Sequence, residues 1–141
     1  MKQSAMLTAL AALAAAFFVR AQARSSTRDG VYTDGQAARG QASYKTSCAS
    51  CHGGALEGSG AQNPPLAGQD FIGNWSGQPL DELFEKIQSS MPADRPGTLS
   101  RATTADIVAY ILKVNKFPAG RAELSGDAGV LQQIQFEAPK D

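Results

Sequence analysis

Histidine is all but missing from this sequence: one residue in 141, His52. Cysteine is nearly as scarce, with Cys48 and Cys51 the only two. A structural zinc centre is thereby excluded, because it takes four ligands and no further Cys or His exists to complete one. No sign of charge dominates, with 13 Lys and Arg against 13 Asp and Glu. A basic stripe able to release counterions from phosphates is therefore lacking, which argues against nucleic acid as a partner. There is no internal repeat, and the length suits one domain. Nor is there an apolar run of the roughly 20 residues that a membrane span takes. The longest charge-free stretch of that kind, Met6–Val19, has fourteen.

That short stretch follows Lys2, is closed by Arg20, and leads into Ala21-Gln22-Ala23. Positive start, apolar middle and small-x-small end read as an export signal spanning 1–23 and removed after Ala23; an uncleaved anchor is the alternative. The remaining Arg24–Asp141 carries 11 basic and 13 acidic residues and is expected in the periplasm, without stable membrane insertion. Thiols tend to be oxidised there. Two cysteines three apart nevertheless make a poor structural staple, because the loop they close is tiny. Another occupant is expected.

Residues 24–33 form a polar leader expected on the surface. Asp34 is placed to cap a helix running from about Gly35 into the cysteine cluster. Residues 53–77 hold seven of the fourteen glycines together with Pro64 and Pro65, and read as a long ordered loop with a binding role. Pro79 opens a second helix, on which Leu80, Leu83, Phe84 and Ile87 make one apolar stripe. A loop, Met91–Arg101, separates it from a third helix. There Thr103-Thr104-Ala105-Asp106 reads as a capping box, and Ile107, Tyr110, Ile111 and Val114 repeat the stripe. The expected fold is all-α: three main helices and long loops over residues 34–117, then a tail, 118–141, packed on or near them. Val130, Leu131, Ile134 and Phe136 are the residues available to pin that tail. Three helices so widely separated need a shared filler for their apolar faces, and a flat apolar cofactor would supply one.

On one helical turn, Cys48, Cys51 and His52 stand at i, i+3 and i+4 and share a face. Two thiols so placed can add to the two vinyl groups of one haem, with the imidazole beneath the iron; C-x-x-C-H is the attachment signature of haem c. A thiol–disulfide oxidoreductase would instead set its C-x-x-C at a helix start after a strand, and an ordinary disulfide remains the bland alternative. Once residues 1–23 are removed, Met91 is the one methionine left, so elimination names it as the second axial ligand. It lies outside both helical stripes, where a gap-filling methionine would sit. A thioether favours ferrous iron, raises the reduction potential and fills the sixth position.

These residues resemble those of class I monohaem cytochromes c: export signal, early C-x-x-C-H, a methionine in the second half, then a final helix. The resemblance covers about residues 34–117. Gly40 and Tyr44, on the turns before Cys48, look like the family's first helix, which the last helix crosses closely at Tyr110. Pro64-Pro65-Leu66-Ala67-Gly68 is similar to the family's P-x-L-x-G. The resemblance implies that the Pro64 carbonyl accepts the second N–H of His52 and that Leu66 packs on the haem; an ordinary proline-rich turn is the alternative. Trp75 and Arg95 are candidate donors to the haem propionates, or else plain core and plain surface respectively.

Met91-Pro92-Ala93-Asp94-Arg95-Pro96-Gly97, together with Asp106–Leu112 and Phe117-Pro118-Ala119-Gly120, looks like the cytochromes that accompany periplasmic quinoprotein (pyrroloquinoline quinone) alcohol or sugar dehydrogenases. The lysine ring of the mitochondrial members is missing, so docking through a large basic field is not expected. The resulting expectation is an electron carrier, not itself an enzyme, with one covalent haem c. Its partners are redox proteins, a periplasmic dehydrogenase as donor and an oxidase or another cytochrome as acceptor. Two alternatives remain open, a haem protein with a labile or open sixth site that senses a small ligand, and a bound subunit of a dehydrogenase complex.

Overall fold

The computed structural model describes residues 24–140, and the export signal read at 1–23 lies outside them. The first long helix, α1 (Asp34–Ser47), starts at its expected cap, Asp34, and is capped one residue earlier, by Thr33. Thr33 is extended, and its Oγ1 accepts the Gln36 N–H at 3.1 Å. Asp34 stands instead in the first turn, where the helix dipole favours a negative charge. Gln36, Ala37, Gly40 and Tyr44 form the buried face of α1. A four-residue helix, α2 (Ala49–His52), follows after a break at Cys48.

The stretch expected as continuous loop contains a further helix, α3 (Gln69–Trp75), which buries Phe71 and Ile72. Gly68, Gly73 and Gly77 conceal it in the sequence, and no side chain caps its start. Pro79 caps α4 (Leu80–Ser90), and Leu80, Leu83, Phe84 and Ile87 are all buried, as their spacing requires. The last long helix, α5 (Arg101–Val114), is capped by Ser100, whose Oγ accepts the Thr103 N–H at 3.1 Å. The capping box expected at Thr103–Asp106 is therefore not formed. Asp106 lies one turn further in and pairs with Arg39 at 3.1 Å.

α1 and α5 make the most extensive helix–helix contact. Gly40 permits it: a Cβ there would overlap the Asp106 carbonyl and approach Tyr110 Cβ to 3.0 Å. The Tyr44 and Tyr110 rings lie beside the crossing, centroids 5.4 Å apart. α4 also packs on α5.

The leader is not a surface segment. Its strand β1 (Ser25–Ser26) pairs in parallel with β2 (Ile134–Gln135) of the tail. Thr27 and Tyr32 are buried, because each finds a polar partner inside. The Thr27 hydroxyl bonds both backbone groups of Glu137, and Tyr32 donates to the Phe117 carbonyl at 2.7 Å. Leu124, a short helix α6 (Ala128–Leu131), Ile134 and Phe136 carry the tail over the body; Val130, by contrast, is 48% exposed and pins nothing. Among the described residues the architecture is all-α, with three long and three short α-helices, a 3-10 turn at Thr27–Asp29 and one two-residue strand pair.

Candidate functional site

Cys48 ends α1 and opens α2, and its carbonyl accepts the N–H groups of Cys51 and His52 at 3.1 and 2.9 Å. The two thiols thus stand on one helical turn with the imidazole, and neither is in a disulfide. Cys51 is exposed. Cys48 is half-buried, and burial, aided by neighbouring Cys51, pushes its thiol up to about 11.

His52 is buried, with Nδ1 2.8 Å from the carbonyl oxygen of Pro64. A carbonyl can only accept, so Nδ1 carries the proton, and Nε2 is the ring nitrogen left to bind a metal. The peptide groups around it are also engaged. His52 O accepts from Gly58 N at 2.8 Å, and Gly53 O accepts from the Tyr44 hydroxyl at 2.7 Å. Burial, then the nearby Cys48, Tyr110 and Glu57, raises the ionisation of Tyr44 well above the usual phenol range, so it stays a donor.

Leu66 is half-buried against the core, its N–H bonded to Leu56 O at 2.9 Å. Trp75 is half-buried at the end of α3, 6.4 Å from the Phe71 ring, and its indole N–H has no acceptor among the described residues. Met91 is the extended residue that ends α4, half-buried against the core. Arg95 is 60% exposed, its Nε 3.3 Å from Asp94. His52 and Pro64 are directly joined; no hydrogen bond or ion pair brings Arg95 to them.

Three residues that shape the site were not read from the sequence. Leu56 is fully buried although its φ is +64°, in the left-handed region. Gly58 lets the loop close against Pro64 and Pro65, and Asn115, at the end of α5, bonds residues 66–68. An isolated leucine among glycines was the only signal for the first. The other two act through backbone contacts distant in sequence, which leave no local pattern.

Two unpaired thiols and an imidazole with free Nε2 on one turn are the donor set that thioether attachment and axial ligation of a haem require, and the residues fit that group. Fold and turn together define a c-type cytochrome, an electron-transfer haem protein. A family model described as cytochrome c oxidase, cbb3-type, subunit III, matches residues 35–111, and the chain belongs to that family. No curated protein and no solved structure matches.

Proposed function

We propose that this chain is an exported carrier of single electrons, with one haem c held through Cys48 and Cys51. The observation that carries the reading is the His52–Pro64 hydrogen bond, which reserves Nε2 for a metal. When bound, haem supplies iron that passes between ferrous and ferric states one electron at a time. His52 would hold the iron through Nε2, and its Nδ1–H donates to the Pro64 carbonyl, which would make the imidazole a stronger donor. Met91 would be the second residue to hold the iron; its thioether would favour the reduced state and keep small ligands off the metal. Leu66 and Met91 help to exclude water. Trp75, whose indole N–H has no acceptor among the described residues, and Arg95, on an exposed loop, would be the donors for the haem carboxylates.

The pattern of residues 1–23 supports the periplasm as the compartment, and no helix among the described residues is long and apolar enough to cross a membrane. The donor is a dehydrogenase, of the quinoprotein type by the resemblance of the Met91–Gly97 loop, and the acceptor an oxidase or another cytochrome. One observation favours a second reading, a bound subunit of a larger complex: the matched family is described as an oxidase subunit. Co-purification from membranes, as against release with the soluble fraction, separates the two.

The purified protein is expected to keep haem on a denaturing gel. Met91→Ala is expected to retain it, with a lower midpoint potential and with carbon monoxide now bound by the reduced form. A Met91→Ala spectrum and potential identical to wild type would remove Met91 from the iron. A colourless protein would remove the whole reading.

A further inference from the structure

Asn115 is 5% exposed, and its carboxamide is almost fully engaged. Nδ2 donates to Leu66 O and to Ile111 O, both at 2.9 Å, and Oδ1 accepts from Gly68 N at 3.0 Å. A flipped amide would face an N–H with donors and two carbonyls with an acceptor, so only one orientation satisfies the set. The bond to Ile111 is an ordinary helix ending. The other two are not, because they reach across 47 and 49 positions to the segment that follows Pro64.

That segment has few means of holding itself. Pro64 and Pro65 have no N–H, and the Pro64 carbonyl is the group offered to His52. The nearest backbone groups after them that hold the segment in place are Leu66 N–H, bonded to Leu56, then Leu66 C=O and Gly68 N–H. Asn115 holds two of these three. We infer that Asn115 is a positioning residue for the redox centre: through residues 66–68 it fixes the Pro64 carbonyl, and so sets how strongly His52 donates to the iron. The inference rests on the haem reading of the previous subsection. A firm Nδ1–H···O bond gives the imidazole partial imidazolate character and favours ferric iron, and loosening it raises the potential.

The test compares the haem-loaded wild type with Asn115→Ala and with Gln36→Ala. Gln36 is an equally buried amide that bonds both backbone groups of Leu124 in the tail and none in the 64–68 segment. Both variants are expected to melt at lower temperature. Only Asn115→Ala is expected to raise the midpoint potential and to speed exchange of the His52 Nδ1 proton, followed by NMR in the reduced protein, by about tenfold or more. Asn115→Gln, which keeps the amide on a longer stem, should recover part of both, and it carries the measurement if Asn115→Ala does not fold. Lower stability with unchanged potential and unchanged proton exchange would overturn the inference and leave the haem reading intact. A wild type without haem would overturn both.

Discussion

In water the neutral ring of His52 would exchange its proton between two nitrogens; in the fold, the Pro64 carbonyl removes that choice, and a close backbone contact at Gly58 holds the carbonyl's loop in place. Gly58 has φ +72°, and a Cβ there would come within 2.6 Å of Asn63 O and of Pro65 N, atoms that no rotamer change can move aside. Gly58→Ala is therefore expected to cost about 2 kcal/mol or more, combining left-handed strain with displacement of the Pro64 segment. Chemical denaturation checks it, and a loss under about 0.5 kcal/mol would mean that the loop closes by another route. Tyr32 makes a separate prediction. Burial, then Asp34, pushes its phenol up to about 12 from an ordinary 10.0. Raised in the fold, this group contributes stability that is fully present below pH 10 and is lost as pH climbs to about 12, because the unfolded chain ionises first. Burial shifts Tyr44 the same way. Thermal melts followed by circular dichroism should decline over that window, and Tyr32→Phe should flatten the decline while lowering neutral-pH stability by about 1 kcal/mol. A Tyr32→Phe curve as steep as wild type would refute the assignment.

Among the elements, the crossing of α1 and α5 is the most extensive helix–helix contact, and it joins a residue with no side chain to one of the largest. Tyr110 is 9% exposed and packs beside Tyr44 and Gly40. Tyr110→Ala is expected to destabilise by roughly 3–5 kcal/mol. Gly40→Ala should cost roughly 1–3 kcal/mol, by forcing the helices apart. Denaturant midpoints measure both, and a Tyr110→Ala loss below about 1 kcal/mol would place the ring outside the crossing. The stripes of α4 and α5 were readable from the sequence because they follow a 3.6-residue period, whereas the crossing at Gly40, Tyr44 and Tyr110 was implied by the family resemblance. The Cys48–His52 turn was readable for a chemical reason, since its three side chains have few joint uses. What escaped was set by long-range contacts. Glycines disguised α3, although Phe71 and Ile72 face the core. Ser100 is the cap in place of Thr103, which is the third residue of α5, and Asp106 pairs instead with Arg39 of α1. Nothing local marks Asn115 as more than a helix end.

At the scale of the whole molecule, the two segments flanking the helical core close over it together. Thr27, Tyr32 and Gln36 place polar groups inside, and all three are satisfied by residues from 117 to 137. Removing the tail would thus leave buried donors without partners, as well as exposing apolar surface. Phe136 is the centre of this join. It is 1% exposed, sets its ring edge-on to Phe117 at 5.2 Å and Phe71 at 6.2 Å, and exchanges backbone hydrogen bonds with Gly77 and Gln78. Through Phe71 it reaches α3, the helix that carries Trp75. Phe136→Ala is expected to lower stability by roughly 3–5 kcal/mol. The manner of the loss matters more than its size. A tail that merely lies on a finished domain would melt early and separately, with the helices unfolding at the wild-type temperature. A tail that completes the core cannot detach without unpairing Thr27 and Gln36, so unfolding should remain one transition moved to lower temperature. Calorimetry of Phe136→Ala, with amide exchange across α1 and the tail, separates these outcomes. Two resolved transitions would reduce residues 118–140 to an appendage.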